Sequence, residues 1–438
     1  MKNHIHLSKI LFIIITLAIH TDLISQTTIG YGPRSKSMSG AGSALIENSL
    51  WGNLNPGGLV FLGQKIGIGI EASLPSASYQ VYGEATNFNQ SLNKQWPLGL
   101  KPGLIEADDK TNIIPQIAFN MAIDDNNAIG ISIYGNGSRG YNYTEQIYYS
   151  TVIADFGSQE GFINPMGTVT SPTFLKLSQY FASISYSRKI GDKIGVGLSL
   201  VSSWQSLNIG GLEAFGSLNY SIFPDYVSGN GVANSYGFGG KLGFQWNISE
   251  QVQFGLAYRS KIFMSNLDSY KGFISKSGNL DIPSEWNIGL VYHPFDRFLL
   301  ALDVNRYCYS KVASWGLAMK QGEEISLGGE SGGGFGRVDQ MSYKLGLQYK
   351  IPKWQFRAGY AHTDQTVVDK EVALNLLMPD IINDFASVGF SRSLGKQVIN
   401  FALVRGFENT LAGNNIMDTK QTIELKSSSW TVEIAVEF

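Results

Sequence analysis

The residues of this sequence that could do chemistry are a few charged groups set on alternating, half-apolar segments. Arg259, Lys344 and Arg357 occupy the polar faces of three such segments, where they could hold an anionic group such as a carboxylate. The same kind of face carries four carboxylates that could pair with these cations instead. Those four residues are Glu71, Asp303, Glu433 and Glu437. Ligand binding and structural ion pairing both stand as interpretations, and ion pairing is the simpler one.

No motif in the sequence predicts an enzyme. His293 and His362 have no serine-centred motif beside them, and Gly332-Gly333-Gly334 lacks the Gly-Lys-Ser/Thr that completes a phosphate-binding loop. The single cysteine, Cys308, excludes an intrachain disulfide framework and a cysteine-cluster metal site. Its segment predicts a packed apolar role for it instead. Neither a catalytic centre, a metal nor a cofactor is therefore expected.

The composition favours an all-β chain with lipid on one face. Aromatic residues make up 12% of the 438 residues, and 50 residues are Gly. Charged residues make up only 16%, against roughly 25% in soluble domains. A formal net charge of −2 excludes nucleic-acid binding by bulk electrostatics. A hydrophobic content of 43% excludes intrinsic disorder, and a mean hydropathy of −0.03 excludes a helical membrane protein.

The N-terminus predicts export from the cytoplasm. Lys2 and Lys9 flank the start of the apolar run Ile10–Ile19, which is too short to span a bilayer because a helix needs about 20 residues to do so. A basic segment before a short apolar run is typical of a secretory signal peptide. Residues 1–25 are predicted to be this signal, with cleavage near Gln26. A retained membrane anchor is the alternative.

Alternation with a period of two dominates the rest of the chain. In the last segment, Trp430 to Phe438, one face is wholly apolar and the other carries two Glu residues, as expected of a strand with opposite environments on its two faces. The pattern predicts fourteen strands. They are 65–82, 111–123, 127–143, 174–190, 193–207, 232–248, 251–264, 282–294, 297–313, 337–350, 353–365, 381–393, 396–410 and 425–438.

The connections between these strands separate a membrane barrel from a soluble sandwich. Connections of 14 to 30 residues alternate with connections of two or three, such as Gly191-Asp192. Long loops on one side and tight turns on the other are typical of bacterial outer-membrane barrels. Closure also leaves no backbone edge in lipid. Residues 65–438 are therefore predicted to form a 14-stranded antiparallel transmembrane β-barrel, all-β in class, in contact with outer-membrane lipids and monomeric.

The segment before the first strand predicts a plug. Residues 26–64 do not alternate, and they combine small residues, a short helix-like stretch from Ser43 to Trp51, and an Asn-Pro-Gly corner. A barrel of fourteen strands is wide enough to leave a lumen. Residues 26–64 are therefore predicted to fill it.

This segment resembles the N-terminal hatch of the FadL-type long-chain fatty acid transporters. Gly40-Ala41 matches the family's Gly-Ala pair, and Asn55-Pro56-Gly57 stands where the family has Asn-Pro-Ala. Ile282–Trp286 at a strand start and Arg357–Tyr360 in a late strand are also family-like. The terminal Phe438 resembles the signal that the barrel assembly machinery reads. The resemblance covers nearly the whole mature chain.

The resemblance implies passive uptake of hydrophobic compounds, with long-chain fatty acids as the expected ligands. A ligand would be caught at the extracellular loops and leave sideways through a kink in the third strand. Gly135-Asn136-Gly137 interrupts the alternation there, and Gly inside a strand indicates a bulge or bend. The alternative is a pair of ordinary curvature glycines. Arg259, Lys344 or Arg357 would hold the fatty-acid carboxylate.

Two other functions remain open from the sequence. A PorV-like component of type IX protein secretion would have the same barrel but bind secreted proteins at its loops. A general diffusion porin would have an open, polar lumen and no hatch, and the long segment before the first strand argues against it.

Overall fold

The structure is a computed structural model that describes residues 29–88, 98–108, 111–149, 151–152, 172–218, 220–319 and 327–438. The predicted signal peptide, residues 1–25, lies outside the described residues. Within the described part of the chain, no helix combines the length and the apolar character needed to cross a membrane.

Fourteen antiparallel strands form one closed barrel in which each strand pairs with its neighbours in sequence. The last strand pairs with the first, from Gly67 opposite Glu437 to Tyr82 opposite Thr422. The strands are β1 Lys65–Tyr82, β2 Asn112–Asp124, β3 Asn127–Arg139, β4 Phe174–Ile190, β5 Ile194–Gly210, β6 Ala233–Asn247, β7 Val252–Arg259, β8 Glu285–Phe295, β9 Phe298–Tyr307, β10 Gln340–Ile351, β11 Trp354–Thr363, β12 Asp384–Leu394, β13 Gln397–Asn414 and β14 Thr422–Glu437.

The predicted number of strands is confirmed, and the differences lie at the long-loop ends. β9 ends at Tyr307 rather than residue 313, because the chain turns there into short helices whose Tyr309 and Trp315 are buried in the loops. The hairpin of β13 and β14 is longer than predicted. Its Ile423 and Leu425 face a buried core above the barrel, so the alternation of buried and exposed residues continues beyond the part of the hairpin that faces lipid.

Exposure alternates along the strands as a membrane barrel requires. On β8, Trp286 and Tyr292 are exposed at opposite ends of the outward row, whereas Glu285 and Asn287 face inward and are buried. The Trp286 ring lies 4.3 Å from the ring of Tyr258 on the neighbouring strand. Such pairs at the ends of an apolar row are typical of the aromatic girdles at a membrane interface.

The long loops pack into a cap with its own apolar core. Trp315, Phe215 and Tyr270 are among its fully buried side chains. Arg337 lies 5.2 Å from the Trp315 ring and forms a 2.7 Å ion pair with Asp380. The short elements of the loops are α-helices Glu213–Ser217, Ser275–Gly278, Ala313–Gly316 and Val372–Asn375; 3-10 turns Pro224–Tyr226, Asp268–Tyr270, Tyr309–Lys311 and Asp369–Glu371; and strands Asn87–Phe88, Gly99–Leu100, Gly103–Glu106, Tyr148–Tyr149, Thr151–Val152 and Phe263–Met264.

Residues 29–64, called the hatch below, lie inside the barrel. They contain the helix Pro33–Lys36 and the 3-10 turns Ser49–Asn53 and Pro56–Phe61. The helix-like stretch predicted from Ser43 to Trp51 was wrong in position, since only its last residues lie in a 3-10 turn. The turn Pro56–Phe61 packs against β3 to β7 close to their short-turn ends.

Inward-facing glycines of the wall make room for the hatch. A Cβ added at Gly255 would lie 3.0 Å from Ala44 and from Asn55, and one at Gly346 would lie 2.7 Å from Met38. Larger side chains at these positions would push the hatch away from the strands. We call the following set the glycine ring: Gly67, Gly130, Gly195, Gly197, Gly243, Gly255, Gly289, Gly346, Gly359 and Gly389.

The glycine ring predicts a strong difference between two glycines of β6. A Cβ at Gly243 would lie 2.6 Å from Gly57 and Pro56, whereas one at Gly240 would meet nothing closer than 3.8 Å. Gly243→Val should destabilise the barrel by about 1–3 kcal/mol through overpacking, and Gly240→Val should not. The unfolding temperature is read as the loss of the fast-migrating folded band on gels of unheated and heated samples. Equal unfolding temperatures would contradict the tight fit of the hatch.

Candidate functional site

The barrel wall is interrupted between β2 and β3. The two strands pair only as far as Ile117 opposite Ile133. Above that point, residues 112–116 of β2 still pair with β1, and residues 134–139 of β3 turn to β4 alone. We call this interruption the side gap.

A bulge in β3 lies at the level of the side gap. The pairing of β3 with β4 shifts between Gly135 and Ser138, so that Asn136 and Gly137 together oppose one residue of β4. Gly137 has a φ of 85°, a left-handed conformation that favours glycine. The bulge therefore lies at the triplet that the sequence singles out, and its role as an exit stays a prediction.

A chain of polar side chains joins the hatch to the bulge. The Tyr31 hydroxyl donates to Asn136 Oδ1 at 3.2 Å, and Asn136 Nδ2 donates to Gln179 Oε1 at 3.0 Å. Gln179 in turn donates to Gln205, whose Nε2 donates to the Leu280 carbonyl oxygen at 3.1 Å. The bulge is thus held from the lumen by the hatch and by the neighbouring strands.

A buried group of charges lies on the inner wall of β6 to β10. Arg259 Nε lies 3.4 Å from Glu285 Oε2, and Lys241 on the next strand donates to the Asn53 carbonyl oxygen of the hatch. Lys344 stands opposite Asp303 in the β9–β10 pair. We call Lys241, Arg259, Glu285, Asp303 and Lys344 the cationic cluster. Its three cations outnumber its two carboxylates, so it carries one positive charge in excess.

Polar atoms without partners lie in and beside the cationic cluster. In the described part of the chain, Arg259 Nη1, both side-chain amide atoms of Asn287 and Asn305 Oδ1 are buried and make no hydrogen bond. A buried polar atom left unpaired costs free energy. Such atoms next to an excess positive charge could bind the charged end of an amphiphile.

Arg357 belongs to a different part of the lumen. Its Nη2 lies 3.1 Å from Glu47 of the hatch, and its Nη1 donates to Ser391 at 2.6 Å. Glu47 also pairs with Lys350 at 3.0 Å and with Arg34 at 3.4 Å. The structure therefore brings Arg259 and Lys344 into one cluster but leaves Arg357 with the hatch.

Cations of the hatch bind the closing seam of the barrel. Glu71 of β1 stands directly opposite Glu433 of β14, and Lys36 of the hatch pairs with both, at 3.0 Å from Glu433. Arg34 lies 3.2 Å from Glu437 at the end of the same seam. Three of the four inward carboxylates predicted to pair across the lumen, Glu71, Glu433 and Glu437, thus pair with cations of the hatch instead.

The predicted hatch residues lie at close contacts with the wall. Gly40 and Ala41 precede Gly42, whose N–H, with that of Ser43, donates to the Asp303 carboxylate at 2.8 and 2.9 Å. Asn55 Oδ1 accepts from Gly57 N–H, and its Nδ2 donates to the Phe244 carbonyl oxygen at 3.0 Å. The corner with Pro56 thereby stays bent and anchored on β6.

The sequence interpretation missed the polar residues of the hatch, above all Tyr31, Arg34, Lys36 and Glu47. They lie in a segment without periodicity, so no pattern assigns them a face. One usable signal was present, because the wall residues that alternate as Gly, such as Gly195 and Gly197, mark where another backbone approaches.

Comparisons with known proteins agree with this architecture. Residues 26–437 match the model of a family described as outer membrane protein transport protein (OMPP1/FadL/TodX). No curated protein sequence shows significant similarity to the chain.

Solved structures are similar to this chain in fold. The toluene transporter TodX of P. putida has a TM-score of 0.64 at 16% identity, over 93% of this chain and 98% of that one. A Pseudomonas aeruginosa FadL homologue has a TM-score of 0.63 at 15% identity, over 94% and 99%. The Ralstonia pickettii toluene transporter TbuX has a TM-score of 0.52 at 18% identity, over 92% and 98%.

The seam contacts predict that Lys36 is a large contributor to stability. Lys36→Met leaves Glu71 and Glu433 facing each other without a cation, and removing one partner of a buried ion pair costs about 3–5 kcal/mol. The unfolding temperature of the purified barrel should fall strongly. Lys101→Met is the matched control, since Lys101 forms a solvent-exposed pair with Glu145, and such pairs contribute about 0–1 kcal/mol.

A rescue variant separates charge from packing at the seam. Adding Glu71→Gln and Glu433→Gln to Lys36→Met removes the unpaired charges and should restore most of the lost stability. If the triple variant were no more stable than Lys36→Met, the electrostatic account of the seam would be wrong.

Proposed function

The chain belongs to the outer membrane protein transport family (OMPP1/FadL/TodX), and on that footing we propose that it admits hydrophobic compounds through the side gap. It is an outer-membrane β-barrel protein. In the proposed path a ligand enters the lumen past the extracellular loops and leaves through the wall into the membrane. An apolar ligand gains free energy by moving into lipid rather than into periplasmic water.

The observation that carries this proposal is the side gap combined with the tight hatch. The hatch packs against the glycine ring, and its turn Pro56–Phe61 contacts β3 to β7 near their short-turn ends. The wall, in contrast, lacks strand pairing between β2 and β3 above Ile117 and Ile133. A sideways path needs no movement of the hatch, whereas a path along the barrel axis would have to break the buried ion pairs of Lys36 and Arg34.

The cationic cluster supports long-chain fatty acids as the ligands. A carboxylate would neutralise its excess charge and could accept hydrogen bonds from Arg259 Nη1 and from Lys344. Solved structures of this fold include toluene transporters and a FadL homologue, so an aromatic hydrocarbon is the other candidate. An uncharged hydrocarbon would have no use for the cluster, and this difference separates the two.

The first experiment is uptake of labelled oleate and labelled toluene. The host is a Gram-negative strain that lacks its own fatty-acid transporter and expresses this chain, with the surface amount measured by antibody. Oleate uptake above the host background supports the proposal for fatty acids, and toluene uptake alone supports it for hydrocarbons. A folded barrel that takes up neither would contradict it and favour the PorV-like secretion alternative.

Narrowing the side gap should reduce uptake of either ligand. Gly135→Val places a branched side chain on the face of β3 that touches Ile114, and we expect uptake to fall about tenfold because a closed gate limits the flux. Gly240→Val on the outer face of β6 is the control and should leave uptake unchanged. Uptake by Gly135→Val equal to that of the control would contradict the lateral path.

The cationic cluster should matter for oleate only. Lys344→Gln removes the excess charge while Asp303 keeps its two hydrogen bonds from the hatch. We expect the oleate concentration for half-maximal uptake to rise about tenfold, the size of one lost charge-assisted hydrogen bond, with toluene uptake unchanged. The double variant Arg259→Gln/Glu285→Gln keeps the pair neutral and should act in the same direction. Arg306→Gln, a change on the exposed outer surface, is the control.

A further inference from the structure

The side gap contains an apolar cluster that is separate from the polar chain at the bulge. Ile114 of β2 and Tyr180 of β4 form one buried cluster, and Trp204 of β5 packs against it. The rings of Tyr180 and Trp204 stack with centroids 5.7 Å apart and an interplanar angle of 19°. The three side chains thus come from three different strands, β2, β4 and β5, that surround the bulge in β3.

The burial of Tyr180 shows that the outward face of β4 is covered at the level of the bulge. Tyr180 shares the outward row of β4 with Ile184, which is 61% exposed, yet Tyr180 itself is only 8% exposed. Trp204 likewise shares the outward row of β5 with Leu200, which is 58% exposed, whereas Trp204 itself is half-buried. Something therefore covers the outer surface here that is absent lower down the same strands.

Ile114 is the side chain that provides this cover. Gly135 lies on the outward face of β3, the same face as the exposed Ile131 and Ile133, and a Cβ added to it would meet Ile114 Cγ2. Ile114 itself is 4% exposed. Ile114 belongs to the inward row of β2, opposite Glu71 of β1. At the level of the bulge it lies against the outward face of β3 and β4, where it reaches the Tyr180 ring.

Trp204 is held in place from the far side. Its Nε1 donates to Asn234 Oδ1 on β6 at 3.0 Å. This hydrogen bond fixes the ring that backs Tyr180, so the movable partner of the cluster is the short side chain of Ile114. An aliphatic side chain can change rotamer at small cost, whereas a stacked and hydrogen-bonded aromatic pair is a fixed wall.

We propose that Ile114, Tyr180 and Trp204 form the membrane-side door of the side gap, with Ile114 as its movable part. The inference rests on the proposed function and adds to it the residues that determine which ligands pass. A ligand that leaves the lumen crosses first the polar layer of Asn136 and Gln179 and then this apolar layer. The door selects ligands by their thickness rather than by their length, because the flat face of the Tyr180 ring bounds the opening.

The first test locks the door. Ile114→Cys and Tyr180→Cys are introduced in a Cys308→Ser background and joined by a bifunctional maleimide that contains a reducible disulfide. Toluene uptake should fall at least about tenfold after joining, since a closed gate limits the flux, and return after reduction. The control pair is Ile288→Cys with Val304→Cys, which face each other across β8 and β9 on the outer surface; joining it should change nothing.

The second test widens the door. Ile114→Ala should raise the entry of N-phenylnaphthylamine, a two-ring probe that fluoresces in lipid, by at least about threefold relative to wild type, because one shortened side chain changes discrimination by size. Toluene uptake should change little. Ile288→Ala on the opposite wall is the matched control.

The outcomes distinguish this inference from the proposed function. If wild type takes up toluene or oleate but the locked pair and Ile114→Ala behave like their controls, the door is wrong and the uptake function survives. If wild type takes up neither ligand, the uptake function is wrong and the door fails with it.

Discussion

A backbone N–H or C=O without a partner is too costly in lipid, and the rest of this structure depends on that constraint. Fourteen strands close on one another because any free edge would expose unpaired groups to hydrocarbon. The side gap is an exception among the described strands, and side chains pack against it on both faces. Amide side chains around Asn136 bond on the lumen side, and Ile114 with Tyr180 excludes lipid on the other. A gap packed in this way is closed in the resting protein but can still open.

Closure also leaves a lumen, because a barrel of fourteen strands is too wide for its own side chains to fill, and the hatch fills it. The hatch does so by backbone contact with the glycine ring and by ion pairs that neutralise inward carboxylates. Buried ion pairs contribute little net stability but are costly to break one partner at a time. The hatch is therefore a fixed part of the wall. Lys36 lies between Glu71 and Glu433 and so links the hatch to the seam where the first and last strands pair.

The inner wall around the hatch carries an unbalanced charge. Lys36, Arg34 and Arg357 are paired with carboxylates, whereas the cationic cluster of β6 to β10 has three cations for two carboxylates and unpaired polar atoms beside it. Arg357, which looked equivalent from its strand face, is instead saturated by Glu47 and by its neighbours Gln348 and Ser391. The Arg259 guanidinium lies 5.4 Å from the ring of Phe181 on β4, so the charge of the cluster lies near a strand that borders the side gap.

The sequence by itself determined the class of fold, the fourteen strands and the inward faces of Arg259, Lys344 and Arg357, because period-two alternation and the loop lengths are local properties of the chain. It also located the bulge at Gly135-Asn136-Gly137, since a break in alternation is local too. It could not assign partners to the hatch residues Tyr31, Lys36 and Glu47, which follow no periodicity. Nor could it separate Arg357 from Arg259 and Lys344, or bring Ile114 onto Tyr180. Those contacts join residues far apart in the chain, so only the closure of the barrel around its hatch decided them.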